Sequence, residues 1–204
     1  MDERELLDKN LLKALFDQGL MGIETPAEFE GSEMSFMSAI IAVEELAKVD
    51  PAVSTVVDVH NTLVNTVIKT WGTQAQKEKY LPRLATNTVG SVCISESGAG
   101  SDAFAMRTNA VLKGDKYILN GSKMWYFIDF KPRITNSYEA DIFVVFATVD
   151  PTLGYKGITC FIVEKEWGVK IAKKESKLVY NFCNTGIFLA SIGNSSIFDL
   201  RLEL

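Results

Sequence analysis

The hydrophobic positions divide the chain into a helical first part and a strand-rich second part. Up to about residue 86, apolar residues recur every three or four positions, which is the spacing of one helix face. The pattern predicts helices over residues 2–19, 35–49, 51–71 and 73–84. On the second of these it predicts that four apolar side chains face inward, namely Phe36, Ile40, Val43 and Leu46. Residues 1–86 are therefore predicted to form an all-helical unit.

Boundary residues support these helices. Pro51 stands at the first position of the third helix, where its fixed backbone angle is favourable. Thr73 and Gln76 have the spacing of a capping box for the fourth helix. Gly19 and Gly72 follow the first and third helices, and glycine commonly ends a helix.

From about residue 89 the pattern changes to short alternating segments rich in β-branched residues. The predicted strands are 90–95, 107–112, 116–119, 142–148, 157–164 and 169–172. Lys113-Gly114-Asp115 and Asn120-Gly121 predict hairpin turns between neighbouring strands. Helices followed by strands predict an α+β fold, with a helical domain followed by an antiparallel β-domain, and not a βαβ alternation.

Composition excludes several classes of protein. The chain is 47% apolar and 23% charged, as is usual for a globular protein, and its net charge of −5 without a basic run argues against a nucleic-acid partner. No apolar run approaches the roughly 20 residues of a membrane span. The three cysteines are far apart, which argues against a disulfide framework or a zinc site. The acidic residues 1–5 are not typical of a signal or transit peptide, so no targeting peptide is expected.

The main candidate for a binding site is the segment 91–102, in which a short apolar strand runs into a glycine-containing turn. Gly98 and Gly100 would let the backbone approach a bulky ligand, because neither carries a Cβ. Ser95 and Ser101 flank the turn with hydroxyl groups. The alternative interpretation is a tight loop without a ligand.

A second enzyme class also matches this turn. Gly98-x-Gly100-x-x-Ala103 has the spacing of a dinucleotide-binding fingerprint, which would indicate a nicotinamide-dependent Rossmann oxidoreductase. That fingerprint requires a helix next and an acidic residue after a second strand. Here a hairpin is predicted next, with Asp115 in its turn, so the context disfavours this class. A helix directly after Ser101 would support it, and a β-hairpin would exclude it.

Other residues carry little chemical information alone. His60 is the only histidine and lies on a predicted helix, which is typical of a satisfied structural residue and excludes a histidine-based triad or metal site. Trp125 and Tyr155 are interpreted most simply as a core or interface residue and a loop residue. From its residues alone the chain is a helical domain joined to a β-domain with a ligand turn, and no reaction follows.

Longer motifs resemble the acyl-CoA dehydrogenase family. Cys93-Ile94-Ser95-Glu96-x-Gly98-Ala99-Gly100-Ser101-Asp102 and Leu119-Asn120-Gly121-Ser122-Lys123-Met124-Trp125 carry the resemblance. Residues 20–23, 44–47, 72–77 and 80–82 fit it in the same order. Residues 150–159 look most like the family members that oxidise short and 2-methyl-branched acyl-CoAs. The resemblance covers about residues 1–178.

The resemblance implies an N-terminal helical domain over residues 1–86, without its first helix, and a middle β-barrel domain over 87–178 that binds FAD and acyl-CoA. It implies FAD-dependent α,β-dehydrogenation in the mitochondrial matrix, by a homotetramer that passes electrons to electron-transfer flavoprotein. In this family a carboxylate removes the α-proton while the β-hydride passes to flavin N5. The family's catalytic glutamate lies in a C-terminal helical bundle that this sequence is expected to lack, so no catalytic residue is predicted and the chain is expected to be inactive alone.

Site residues are implied by the same resemblance. The cofactor-binding residues would be Val92, Cys93, Ile94, Ser95, Glu96, Ser97, Gly98, Ala99, Gly100, Ser101, Trp125, Ile134 and Thr135. Trp125 would cover one flavin face, and the Thr135 hydroxyl would reach N5. Ser101 and Tyr155 would contact the acyl-CoA. A non-catalytic fragment that binds FAD or acyl-CoA is the alternative function.

Two segments depart from the family pattern. Residues 126–133 have no counterpart and are expected to be a gene-model or splicing insertion, which would force the strand bearing Trp125 to re-register. Residues 179–204 are expected to be an unrelated tail, with a stray strand as the alternative.

Overall fold

A computed structural model describes residues 7–127, 131–171, 188–191 and 197–198. Its helices occupy the first part of the chain, as the hydrophobic pattern predicts. They are α1 (Lys9–Asp17), α2 (Phe36–Val49), α3 (Pro51–Asp58), a π-helical segment (Val59–Asn65), α4 (Thr66–Trp71) and α5 (Gln74–Thr86). None of the helices in the described ranges is long and apolar enough to cross a membrane.

The predicted boundary signals are confirmed at three helices. Gly19 follows α1 with a φ of 70°, in the left-handed region that glycine adopts without strain. Pro51 is the first residue of α3, as predicted, and the Asp50 carboxylate before it accepts hydrogen bonds from the backbone N–H groups of Ala52 and Val53, at 2.9 and 3.3 Å. Thr73 and Gln76 form the predicted reciprocal capping box at the start of α5. These helices therefore begin or end where local hydrogen bonding dictates.

The predicted burial of α2 is partly wrong. Val43 and Leu46 are half-buried, but Phe36 and Ile40 are 59% and 40% exposed. The helix buries Ala39 and packs against α3, where Ser54 donates from Oγ to the Val43 carbonyl at 2.8 Å. Helical spacing gives the direction of an apolar face but does not say whether another element covers it. In the described part of the chain, one side of this face is left uncovered.

The strands follow in the second part. They are β1 (Val89–Cys93), β2 (Asn109–Lys113), β3 (Lys116–Lys123), β4 (Trp125–Phe127), β5 (Lys131–Arg133), β6 (Ala140–Thr148), β7 (Ile158–Glu164), β8 (Val169–Ile171), β9 (Phe188–Ser191) and β10 (Ile197–Phe198). All but β4 and β5 belong to one sheet of order β1-β6-β2-β3-β9-β8, with β7 on β6 and β10 on β3. The helical part followed by a sheet-containing part confirms the predicted fold class.

The predicted antiparallel barrel is not confirmed by the strands that the structure describes. Antiparallel pairs join β2 to β3, β3 to β9, β9 to β8 and β6 to β7. However, β1 runs parallel to β6, and β2 meets β6 in a parallel pair at Asn109 and Thr148. The strands that the structure describes make a mixed sheet that does not close on itself. Parallel pairing joins strands far apart in sequence, so hairpin signals cannot predict it.

One predicted turn is confirmed and the other is wrong. Gly114, with a φ of 66°, turns the chain between β2 and β3, where Lys113 pairs with Lys116. Asn120-Gly121 is not a turn, because β3 continues through both residues to Lys123. A Cβ on Gly121 would lie 2.6 Å from the Cα of Thr108. This glycine therefore permits a close backbone approach.

The departures from the family pattern contain strands. β4 and β5 pair antiparallel as a separate two-stranded sheet, with Trp125 opposite Arg133, so the segment 126–133 includes most of a hairpin. Residues 128–130 lie outside the described part. In the predicted tail, β9 pairs with β3 and β8, and β10 pairs with β3. The other residues of 179–204 lie outside the described ranges.

Candidate binding site

An apolar recess of about 210 Å³ lies where β1 ends against the π-helical segment. Its lining residues are Val59, Leu63, Val92, Ile94, Ser95, Met124, Ile134 and Thr135. Five of them were predicted as cofactor-binding residues: Val92, Ile94, Ser95, Ile134 and Thr135. The structure thus brings together two sequence segments that lie on either side of β2 and β3.

Strand alternation decides which side chains of the first segment reach the recess. Val92 and Ile94 point into it, whereas Cys93 points to the opposite face of β1 and is fully buried in the core. Burial raises the pKa of the Cys93 thiol to about 12, so the group stays neutral. Cys93 is a structural residue of the sheet, and its side chain does not line the recess.

One hydrogen bond joins the second segment to the first, and another joins the residue after β3 to the first segment. Ser91 donates from Oγ to the Thr135 carbonyl at 2.6 Å, and the Met124 N–H donates to the Ser95 carbonyl at 2.7 Å. Asn136 stands next to Thr135 in the left-handed region, with a φ of 65°, and its Nδ2 donates to the Val56 carbonyl at 3.2 Å. These contacts keep Ser95 and Thr135 on the same recess although the hairpin β4–β5 intervenes in sequence.

The glycine turn beside the recess is open. Glu96 and Ala99 exchange two backbone hydrogen bonds, of 3.0 and 3.1 Å, which close the turn. A Cβ added at Gly98 or Gly100 would meet no atom within 4 Å. Ala99 is buried, whereas Ser97, Gly98, Gly100 and Ser101 are exposed. The backbone of this turn is therefore open to close approach from outside.

The segment after the turn excludes the nicotinamide alternative. A single 3-10 turn (Ala103–Ala105) follows Ser101, and the chain then enters the β2–β3 hairpin. A dinucleotide fingerprint needs a full helix at this place, since the helix N-terminus binds the pyrophosphate. The interpretation of Gly98-x-Gly100 as a dinucleotide-binding fingerprint therefore lacks the helix that it requires.

Glu96 faces the protein interior. Its carboxylate accepts hydrogen bonds from Lys123 Nζ at 2.8 Å and from the backbone N–H groups of Arg107 and Thr108 at 2.6 and 3.0 Å. Burial by itself would raise the pKa of Glu96, but the hydrogen bonds from Lys123, Thr108 and Arg107 outweigh it and hold the pKa below its usual value. Burial lowers the pKa of Lys123, against its bond to Glu96. Glu96 is an internal ion-pair partner and is not one of the residues that line the recess.

The other two predicted residues lie outside the recess lining or beyond description. Tyr155 is exposed, on the 3-10 turn Pro151–Gly157, and its ring packs on Phe104 with centroids 5.7 Å apart. Because Phe104 follows the glycine turn closely, Tyr155 lies beside that turn. Trp125 lies in β4, and its side chain lies outside the described part of the structure.

The sequence did not predict three of the lining residues, Val59, Leu63 and Met124. Val59 and Leu63 are four positions apart on the π-helical segment, whose other side buries His60, Asn61, Val64 and Asn65. The sequence predicts an ordinary helix over residues 51–71, because no local pattern marks a π-helix. Such segments occur often at functional sites.

Two family models match the chain, one after the other. The acyl-CoA dehydrogenase N-terminal domain matches residues 1–88, and the acyl-CoA dehydrogenase middle domain matches residues 91–189. The second match includes the first residues of β9.

Curated relatives carry the same family name. A probable short/branched chain specific acyl-CoA dehydrogenase of Dictyostelium discoideum is 57% identical over 180 residues, which are 87% of this chain and 42% of the relative. The mitochondrial short/branched chain specific acyl-CoA dehydrogenase of Bos taurus is 50% identical over 179 residues, 87% of this chain and 40% of the relative. The chain thus spans less than half of the length of each relative.

Solved structures share the fold. A chain from the structural work on the electron transferring flavoprotein of Acidaminococcus fermentans has a TM-score of 0.90 at 37% identity, over 98% of this chain and 51% of that one. Butyryl-CoA dehydrogenase of Megasphaera elsdenii gives 0.84 at 34%, over 98% and 50%. A glutaryl-CoA dehydrogenase of Mycobacterium smegmatis in complex with FADH2 gives 0.80 at 28%, over 98% and 47%.

Proposed function

Because the chain belongs to the acyl-CoA dehydrogenase family, of which it carries the N-terminal and middle domains, we propose that it binds FAD at the recess beside the glycine turn. The site serves FAD-dependent α,β-dehydrogenation of short or 2-methyl-branched acyl-CoA thioesters. The relatives with 57% and 50% identity are named for short/branched chain specificity, which supports this substrate class.

The observation that carries the proposal is the convergence of Ser95 and Thr135 on one apolar recess next to an open turn at Gly98 and Gly100. An apolar wall with a few placed polar groups is the usual character of a cofactor site. The recess holds about 210 Å³. Small-molecule sites span roughly 300–1,000 Å³. These residues therefore supply one wall of the site, for the flavin ring, and not an enclosure for the whole cofactor.

The chain's own residues have defined tasks in this proposal. Bound FAD supplies the acceptor for the hydride that leaves the acyl chain. Val92, Ile94 and Ile134 would exclude water from the flavin ring, and the Ser95 and Thr135 hydroxyls would serve as hydrogen-bond donors to it. Such donors stabilise negative charge on a reduced ring, which is how a protein tunes a flavin. Tyr155 and Ser101 lie on the exposed side of the turn, where the thioester would approach.

A second function is favoured by one specific observation. None of the residues that line the recess in the described part is a carboxylate or a histidine, so this wall offers no base for the α-proton. A non-catalytic fragment that binds FAD or acyl-CoA fits this composition.

Assembly as a homotetramer, electron transfer to electron-transfer flavoprotein and residence in the mitochondrial matrix are proposed for the complete enzyme. The mitochondrial names of several relatives support the last point.

The visible absorption spectrum of the purified chain after incubation with FAD and desalting tests FAD binding. Retained flavin absorbance is expected, and a colourless protein contradicts the proposal. Reduction of an artificial electron acceptor by the flavin-loaded chain with 2-methylbutyryl-CoA then separates the two functions. Turnover supports dehydrogenation by this chain, and flavin binding without turnover supports the binding fragment.

A further inference from the structure

We propose that Glu96 and Lys123 are positioning residues, whose buried ion pair fixes the glycine turn in the conformation that accepts the flavin. The inference rests on the proposed FAD site and assigns to this pair a role in building it. Neither residue belongs to the recess lining, and the role assigned to the pair is exerted through the turn.

Lys123 stands at a junction of three chain segments. Its Nζ donates to Glu96 Oε1 at 2.8 Å and to the Ile94 carbonyl at 2.9 Å, and lies 3.7 Å from the sulfur of Met106. Its side chain has no exposed surface. An ammonium group has three N–H donors, and here three acceptors from the two ends of the segment 94–106 surround it. Lys123 therefore ties the end of β3 to both ends of the segment 94–106.

Glu96 completes this junction. Its two carboxylate oxygens accept from the backbone N–H groups of Arg107 and Thr108, directly before β2. One carboxylate and one ammonium thus close the loop 97–105 at its base. The backbone bonds inside the loop, such as those between Glu96 and Ala99, shape the turn itself but cannot set its position relative to β1.

The balance of energies favours a geometric role for the pair. Removing two charges from water offsets most of their attraction, so a buried ion pair adds little net stability. Charge-assisted hydrogen bonds are nevertheless short and directional, and five of the contacts above converge on two side chains. Because the glycine turn is exposed, its orientation depends on the contacts of Glu96 and Lys123 that close the loop 97–105. A displaced turn would move Gly98 and Gly100 relative to Ser95 on the recess.

The test compares the full chain with its Glu96→Gln variant, and uses amide hydrogen exchange and FAD titration. The variant keeps the shape of the side chain but removes the charge that holds Lys123. We expect exchange to accelerate by about tenfold or more in residues 97–108, and the FAD dissociation constant to rise by about tenfold or more. Unchanged exchange in 97–108, or an FAD dissociation constant within about twofold of the original, overturns the proposal.

Glu164→Gln is the matched control. Glu164 also accepts hydrogen bonds from cations, namely Lys79 and Arg83. It pairs with Ile142 of β6, which in turn pairs with Gly90 near the start of β1, whereas the recess lies at the end of β1. We expect this variant to keep exchange in 97–108 and FAD affinity as they are. Equal effects of the two variants would show a general loss of stability and overturn the positioning role.

A second variant covers a failure of Glu96→Gln to fold. Glu96→Gln with Lys123→Met removes both charges of the pair, and we expect a folded protein with the same faster exchange in 97–108. A folded double variant with the original exchange rates overturns the proposal. If the unmodified chain does not bind FAD, the proposed function fails, and hydrogen exchange still decides whether the pair holds the turn.

Discussion

His60 Nδ1 accepts a hydrogen bond from the backbone N–H of Gly90 at 3.0 Å, which joins the helical part of the protein to the first strand. Since Nδ1 accepts, Nε2 carries the proton and donates to the Leu84 carbonyl at 2.9 Å. Burial of the ring lowers the pKa of His60 to about 4, despite hydrogen bonds that raise it. The histidine is a satisfied structural residue, as its position on a helix suggested, and it is held neutral.

Stability should fall in mild acid because of this histidine. The unfolded chain takes up a proton near pH 6.5, whereas the folded chain resists it down to about 4. The contribution of His60 is therefore complete above 6.5 and is lost as the pH falls toward 4, by on the order of 3 kcal/mol. Urea unfolding at a series of pH values measures it. His60→Gln, whose amide can donate to Leu84 and accept from Gly90, should show a smaller decline, and equal pH slopes would contradict the assignment.

A side chain at Gly98 should separate cofactor binding from folding. A Cβ at this position would meet no atom within 4 Å, so we expect Gly98→Val to change the free energy of unfolding by less than about 0.5 kcal/mol. If the flavin lies over the turn, the branched side chain blocks it, and the FAD dissociation constant should rise by about tenfold or more. Gly90→Val is the contrast, because a Cβ there lies 2.5 Å from Val64 Cγ1 and should destabilise the fold. Full FAD affinity in Gly98→Val would place the flavin elsewhere.

The ion cluster around Glu164 should stabilise the contact between α5 and β7. Glu164 accepts from Lys79 Nζ, the Tyr80 hydroxyl and Arg83 Nη1, at 2.8, 3.2 and 3.1 Å. The carboxylate is largely buried, but the two cations are half exposed, so solvent screens the pairs. We expect Glu164→Ala to lower the free energy of unfolding by about 1–2 kcal/mol. Thermal or urea denaturation measures this.

The control for that prediction is an exposed pair of the same chemistry. Lys13 and Asp17 are bonded on the surface of α1, and both side chains are more than half exposed. Asp17→Ala should therefore change stability by less than about 0.5 kcal/mol. A loss at Asp17 as large as that at Glu164 would refute the importance of burial.

The uncovered face of α2 should govern self-association. Its exposed apolar side chains, together with a neighbour before the helix, are Met34, Phe36, Met37, Ile40 and Ile41. Contiguous apolar patches of this kind promote association. Ile41→Glu should raise the monomer fraction in sedimentation experiments while the free energy of unfolding stays within about 0.5 kcal/mol.

A buried position on the same helix provides the comparison. Ala39 has no exposed surface, so Ala39→Glu would bury a charge without a partner and should unfold the protein. Unchanged association in Ile41→Glu would show that this face is not the contact surface.

Signals within a few residues were sufficient for much of the fold. The capping box of Thr73 and Gln76 marks a helix start because both of its hydrogen bonds close within one turn. The alternation of Val92, Cys93 and Ile94 likewise decides which side chains share a strand face. Motif resemblance added Ile134 and Thr135 to the site, which no local pattern connects to β1.

Asn120-Gly121 shows where local signals fail. The dipeptide is typical of a hairpin turn, but β3 continues through it because Thr108 lies against Gly121. The glycine is required by a neighbour that is distant in sequence. The burial predicted for Phe36 and Ile40 is wrong for a different reason. Their helical spacing is correct, but no described element covers them.

By itself, the sequence determined the order of helices and strands, their caps and the family motifs, because these depend on hydrogen bonds and side-chain periodicity within short segments. Only the tertiary structure decided the parallel pairing of β1 with β6, the burial of Glu96 with Lys123 and the role of Val59 and Leu63 in the recess. Each of these depends on a partner many residues away. Their free energy comes from burial and pairing across the assembled core, which a local pattern does not contain.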